Sequence, residues 1–274
     1  MSRLKRAVSL LFTDPHDFWQ RLKPYMMNAR SGIIQINGIN FPIDVDLDPC
    51  MRPMYAGTYE YRITNILKKF LKSGDTFVDV GANVGYVSSF ALGLVGQSGE
   101  VHSFEPVPRY LQRLESIRDI NPNVPLYING VALGEEVGTS SISVSFSNIG
   151  WNTVVADFMN PEDTAAKIEV RMETLDNYFA AKNIRWPRIV KIDTEGYEYP
   201  IIKGFQRYLR SCNELPMLVV EIMPTAYPKL GLSLHDFSSF MKTMGYVSYD
   251  TDLARQVDIA NAKKIVDVVF IPQA

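Results

Sequence analysis

An apolar strand that runs directly into a glycine loop, and from there into a helix, constrains this chain more than any other feature. Phe77-Val78-Asp79-Val80 leads into Gly81-Ala82-Asn83-Val84-Gly85, and Tyr86 opens a helical pattern. Glycine permits tight turns and lets a ligand approach the backbone closely. In an open parallel α/β sheet such a turn lies at the carboxyl ends of the strands, where nucleotides bind. The spacing is neither GxGxxG nor GxxxxGK[ST], which disfavours a dinucleotide pyrophosphate site and a P-loop.

The surrounding chain repeats the same rhythm. Strands are expected at Thr76–Val80, Glu100–Phe104, 126–131, 188–192 and 217–221, and helices at Tyr86–Val95, Pro108–Ile120, 199–209 and 234–244. Alternation of this kind specifies a mostly parallel sheet with helices on both faces. Tyr246–Tyr249 and 265–271 leave no room for a helix between them, so they are expected to pair antiparallel. Residues 134–175 break the rhythm: 141–146 and 167–172 alternate like antiparallel strands around Gly150-Trp151-Asn152. This stretch reads as an insertion over the sheet's C-terminal edge.

Upstream, Trp19, Leu22 and Met26 recur at helical spacing and suggest a packing helix. Residues 32–47 alternate on either side of Asn37-Gly38, a strong hairpin signal. Ile63, Ile66, Leu67, Phe70 and Leu71 form an apolar stripe on a helix over 58–71. The expected organisation is an extension of helix and hairpin over 1–57, followed by an α/β domain over 58–274.

Composition narrows the function classes. A formal net charge of −2 lacks the basic excess of a typical nucleic-acid binder. Cys50 and Cys212 form no metal-ligand cluster and read as free thiols of a reducing, cytoplasmic compartment. Arg3, Lys5 and Arg6 precede an apolar run that Asp14 and Pro15 end too early for a signal-peptide core. No run approaches the roughly 20 apolar residues of a membrane span.

Two further clusters add chemistry. Glu105, in Ser103-Phe104-Glu105-Pro106, ends the second strand 24 residues after Gly81. An acid near that position accepts hydrogen bonds from ribose hydroxyls, although it could equally cap the next helix. Lys191-Ile192-Asp193-Thr194-Glu195-Gly196-Tyr197-Glu198 follows another strand, and its acids are costly to hold together without a cation or hydrogen-bond donors. Lys191 and Asp193 share a strand face by the period of two. Glu221 would lie beside them if the strands are neighbours. Its role is open between a loop anchor and a substrate contact. His235 is a weaker base candidate, and His102, inside a strand, reads as structural.

Asp79-Val80-Gly81-Ala82-Asn83-Val84-Gly85-Tyr86, Phe104-Glu105-Pro106 and Lys191-Ile192-Asp193-Thr194-Glu195-Gly196 together resemble the FkbM-type methyltransferases, over roughly residues 55–225. The resemblance implies a class I methyltransferase Rossmann-like fold, a seven-stranded mostly parallel sheet with an antiparallel last strand. It implies O-methylation of a hydroxyl on a sugar, glycolipid or polyketide-type natural product, with S-adenosyl-L-methionine (SAM) as cofactor. By position, Gly81, Ala82, Asn83, Gly85 and Tyr86 would cradle SAM, Asp79 would orient its methionine end and Glu105 would hold its ribose. Asn129, Val131 and Ala132 would line the adenine. Asp193 would sit near the sulfonium and the acceptor. Tyr59 and Glu60 would close over the cofactor. Asp193, Glu195 and Lys191 are the expected catalytic group. A hard divalent cation would suit such carboxylates, but nothing in the sequence requires one.

The expected partner is a small-molecule or glycan acceptor, with no nucleic acid and no integral membrane span. Two alternatives share the fold: a nicotinamide-dependent oxidoreductase, and a SAM-binding module without catalysis. A nucleic-acid methyltransferase is disfavoured by the charge balance and by the lack of an Asn/Asp-Pro-Pro-aromatic motif.

Overall fold

The computed structural model describes residues 14–46, 48–145, 152–156, 158, 161–184 and 186–273. Its frame is a seven-stranded sheet assembled from short apolar runs. These strands are Thr76–Val80 (β3), Glu100–Phe104 (β4), Leu126–Asn129 (β5), Ile189–Ile192 (β10), Met217–Ile222 (β11), Tyr246–Tyr249 (β12) and Val266–Pro272 (β13). Their order is β12-β13-β11-β10-β3-β4-β5. The pairs from β11 to β5 are parallel, and β13 runs antiparallel between β11 and β12. This is the class I methyltransferase arrangement, with the closing antiparallel pair where the sequence placed it.

Strands covered on both faces read as continuous apolar runs, because each face is buried under helices. On one face Phe77, Val101, Ile189, Val219 and Val269 pack beneath Tyr61–Phe70 (α3) and Tyr86–Val95 (α4). On the other, Val78, Phe104, Val190, Val220 and Phe270 pack under Leu175–Lys182 (α6), Glu198–Lys203 (α7), Gln206–Ser211 (α8) and Leu234–Thr243 (α9). Phe77, Phe104 and Phe270 are at most 1% exposed, and burying each such side chain contributes about 1.5–3 kcal/mol. Helix Pro108–Ile120 (α5) joins β4 to β5 and opens on proline, whose missing N–H costs a helix start nothing.

The hairpin forms as expected. Gly32–Ile36 (β1) and Ile39–Ile43 (β2) pair antiparallel, with Asn37 and Gly38 both at positive φ in the turn. Phe41 and Ile43 enter the same core as α4. The turn is fixed to α4 because Gly93 has no Cβ to collide with the Asn37 carbonyl. Asn40 and Asn121 exchange two 2.8 Å hydrogen bonds, which tie β2 to the end of α5.

Helix Pro15–Met26 (α1) departs from expectation. Trp19 is 54% and Met26 69% exposed and only Leu22 of the anticipated stripe is half-buried, so the stripe is covered at its middle alone. The helix is anchored instead by buried Asp17, which accepts from Tyr61 Oη at 2.9 Å and from Arg21 Nε at 2.7 Å. A short helix, Arg52–Tyr55 (α2), comes between the hairpin and α3. The helix expected over 58–71 begins only at Tyr61, because Glu60 takes a left-handed conformation.

The insertion is a four-stranded sheet in the order β6-β9-β7-β8: Ala132–Leu133 (β6), Gly138–Ser145 (β7), Asn152–Thr153 (β8) and Thr164–Glu173 (β9). Of Gly150-Trp151-Asn152, only Asn152 lies among the described residues. Thr153 Oγ1 donates to the Glu195 carbonyl at 2.8 Å, which places the insertion over the sheet's C-terminal edge. Helix α6 carries no expectation from sequence, and the helix expected over 199–209 is two helices. They separate at Gly204, where a Cβ would strike the Gly134 carbonyl.

Candidate active site

Strand register assembles the site. Asp79 and Lys191 are partners across the β3–β10 pair, and Glu221 and Asp267 are partners across β11–β13. All four lie two residues along their strands from Phe77, Ile189, Val219 and Val269, so they share the sheet face that carries the hairpin, α3 and α4. Just beyond the strand ends, Asp193 N donates to the Val80 carbonyl at 3.1 Å. Gly81 sits against Asp193 at φ +77°, and a Cβ there would collide with the Asp193 carbonyl oxygen. Glycine is required at 81 because the two loops touch.

These loops wall a cleft of about 980 Å³, counting space open to solvent. Gly81, Ala82 and Asn83 form one wall with Glu105, and Val131, Ala132 and Ile142 an apolar one. Lys191, Asp193, Glu195 and Glu221 stand at one end, with Tyr59 and Glu60. Glu105 is held firmly: Oε2 accepts from Asn83 N at 2.9 Å and Oε1 from Val107 N at 2.8 Å. It therefore ties the glycine loop to the turn before α5, whose N-cap, Val107, makes no side-chain cap hydrogen bond, and it still faces the cleft. Burial lifts its carboxyl to about 7 against those two amides. Each oxygen keeps a further lone pair.

Lys191 joins two carboxylates. Its Nζ lies 3.3 Å from Asp79 Oδ1 and 3.2 Å from Asp193 Oδ2, and it donates to the Gly81 carbonyl at 3.3 Å. Desolvation opposes its charge, but Asp193, Asp79 and Glu60 outweigh burial and hold it cationic. Asp79 is wholly buried, and Ser88 Oγ donates to its Oδ2 at 2.6 Å.

Carboxylates outnumber that lysine. One oxygen from each of Asp193, Glu195 and Glu221 falls within 4.8 Å of the others. Burial, then Asp193, pushes the Glu195 carboxyl up to about 8 and that of Glu60 up to about 8. Burial, then Asp193 and Glu195, pushes Glu221 up to about 11. Glu60 and Glu195 take φ of +47° and +55°. Left-handed glutamates are uncommon, and backbone strain of this kind concentrates at functional sites.

These shifts give a stability test. Glu195 binds its proton more tightly folded than at its ordinary value of 4.5, so it costs stability as pH rises from 4.5, and the loss is complete near 8. Glutamine cannot ionise. The melting advantage of Glu195→Gln in the ligand-free protein is expected to be small at about pH 5 and to widen to about pH 8. Thermal melts across that range check it, and a flat difference contradicts it.

Not every expected residue reaches the cleft. Asn129 ends β5, and its amide donates to the Ser103 and Tyr127 carbonyls instead. Gly85 faces Leu114 and Ile117 on α5, where a side chain would not fit. Asp79 is wholly buried outside the cleft lining and is joined to the site by its ion pair with Lys191. His235 is exposed, and His102 is buried against Tyr178 Oη and Glu100. Asp267 escaped the sequence reading because only the β11–β13 register brings it beside Glu221.

The family model for the methyltransferase FkbM domain matches residues 79–248, which contain the glycine loop, Glu105 and the carboxylate cluster. The chain belongs to the FkbM methyltransferase family. That membership decides against the oxidoreductase reading. The hexuronic acid methyltransferase AglP of Haloferax volcanii is 25% identical over 170 residues, covering 62% of this chain and 65% of that protein. The chain thus spans just under two-thirds of that relative's length. Similar solved structures include methyltransferase FkbM from Methylobacillus flagellatus KT, 16% identical, covering 82% of this chain and 55% of that one with a TM-score of 0.45. A SAM-dependent O-methyltransferase from Thermotoga maritima is 12% identical, covering 90% and 79%, also with a TM-score of 0.45. Among the described residues, no helix is long and apolar enough to cross a membrane.

Proposed function

We propose that this methyltransferase uses SAM to methylate a hydroxyl of a sugar, glycolipid or polyketide-type product. The observation that carries the reading is the junction of an adenosine-type wall with an acid-rich end in one cleft. The residues fit the cofactor. The Gly81-Ala82-Asn83 loop lines the cleft, Glu105 offers free lone pairs at the end of the second strand, and Val131, Ala132 and Ile142 supply an apolar face. A sugar among the acceptors agrees with the relative's being a hexuronic acid methyltransferase. The acid-rich end is a poor surface for the nucleic-acid backbone.

SAM, when bound, supplies a methyl group on a sulfonium. The protein's share is alignment and proton handling, and alignment is a major source of rate. Glu105 holds the ribose hydroxyls. Asp193, with Lys191 at 3.2 Å, accepts the proton of the attacking hydroxyl at its carboxylate. Glu195 and Glu221, kept protonated near neutral pH, donate hydrogen bonds that orient the acceptor. Asp79 balances Lys191 from below.

Titration calorimetry with SAM and S-adenosylhomocysteine (SAH) tests this. Glu105→Ala is expected to weaken both by about 10- to 100-fold, the loss of charge-assisted hydrogen bonds. Glu105→Gln, which can still accept from one backbone amide, separates a ribose effect from loosening of the Asn83 loop. Unchanged affinity in Glu105→Ala would remove the ribose role, and no binding by wild type would remove the cofactor.

A further inference from the structure

A second cavity, of about 950 Å³ counting open space, lies between α1 and the start of α3. It shares Tyr59 and Glu60 with the cleft, so those two residues form the partition between the spaces. Asp267 lines the groove, and its carboxyl is raised to about 6 by burial and then by Asp193. The groove therefore adjoins the acid-rich end of the cleft, where the acceptor must sit, rather than the adenosine wall.

Its lining has a recognisable chemistry. Tyr25, 81% exposed, presents a ring beside Pro24, next to the hydrogen-bonding side chains of Gln20 and Thr58. Flat rings alternating with polar groups suit the apolar face and hydroxyl rim of a pyranose, since an aromatic ring offers area at little conformational cost. The lining is too polar for an acyl chain. Charge narrows the ligand further. Arg21 and Arg62 are engaged by Asp17, and Arg62 also by Asp14. Glu60, pushed up to about 8 by burial and then Asp193, adds no charge near neutral pH, and Asp267 lies in the fields of Lys191 and Arg62. Among the described residues the groove has no cation without a carboxylate already beside it. An acidic saccharide would have to displace Asp14 or Asp17 to pair its carboxylate, whereas a neutral one would not.

We propose that this groove is an acceptor subsite that holds uncharged sugar units adjoining the one methylated, with Glu60 and Asp267 at its entry to the cleft. This rests on the reading of the cleft as a SAM-dependent sugar methyltransferase. It differs in charge from the acceptor in the name of the Haloferax volcanii relative, a hexuronic acid.

The test uses the full chain loaded with SAH and an array of neutral and uronic-acid oligosaccharides, from single sugars upward. Neutral oligosaccharides should bind better than single sugars. Tyr25→Ala should weaken them by about 10-fold, with the affinity for SAH and the melting temperature unchanged. Gln20→Ala, also away from the catalytic cleft, should weaken them in the same direction. A preference for uronic-acid chains, no oligosaccharide binding, or neutral binding that ignores both substitutions overturns the subsite and leaves the cofactor reading standing. Failure of wild type to bind SAH overturns both.

Discussion

Asp193→Asn is expected to lower kcat by about 10²- to 10⁴-fold, the usual contribution of a positioned general base. Asparagine keeps the shape and an acceptor oxygen toward Lys191, but it cannot take a proton. Asp193 is chosen over its neighbours by charge pairing. It is the member of the trio in contact with Lys191, at 3.2 Å, while Glu195 and Glu221 face it without a cation of their own. Burial and like charge keep those two protonated near neutrality, which suits donors and not bases. Glu195→Gln and Glu221→Gln should therefore cost far less, since an amide replaces a protonated carboxyl with a donor of similar size. SAH affinity should change little in all three, because the product carries neither the sulfonium charge nor the acceptor. Single-turnover methyl transfer to a sugar acceptor, with SAH titration alongside, measures both. If Asp193→Asn remains active and Glu195→Gln fails, the proton acceptor is Glu195 and Asp193 serves to hold Lys191.

The parts of this site carried by local pattern were legible from sequence. Phe77 to Tyr86 reads as strand, loop and helix because apolar run, glycines and helical period sit side by side, and the observed bounds of β3 and α4 agree. Glu105 was legible as a strand-end acid near the right separation, though its two backbone hydrogen bonds were not. What sequence could not supply was register. Asp79 and Lys191 are 112 residues apart and adjacent in space only because β10 inserts beside β3. The same holds for Glu221 and Asp267. Asn129 shows a related limit: β5 stops there and the chain leaves for another sheet, and its side-chain amide is bonded to the Ser103 and Tyr127 carbonyls, which no local pattern indicates. The first helix shows the converse. Trp19 and Met26 keep helical spacing, but one buried aspartate bonded to Tyr61 and Arg21 decides which face turns inward. A period can indicate a helix without indicating its inner side.

That interior pair gives the largest expected effect on stability. Lys191→Met should destabilise the fold by about 3–5 kcal/mol, the cost of leaving one member of a buried ion pair alone, and lower the melting temperature by roughly 10 °C. Asp79 is 0% exposed. Ser88 satisfies its Oδ2, whereas Oδ1 has no hydrogen bond and depends on Lys191 at 3.3 Å. Methionine matches the lysine stem in bulk, so the variant removes charge with little change of packing. The double variant Asp79→Asn with Lys191→Met should recover a large part of the loss, because no buried carboxylate then remains without a cation. Methyl transfer should fall in both, since Asp193 loses the same ammonium. Chemical denaturation of the two variants and wild type separates the effects. Recovery of stability without recovery of activity assigns Lys191 two tasks, one toward each aspartate. If Lys191→Met melts with wild type, Asp79 is neutral in the folded protein, and Lys191 is there for Asp193 alone.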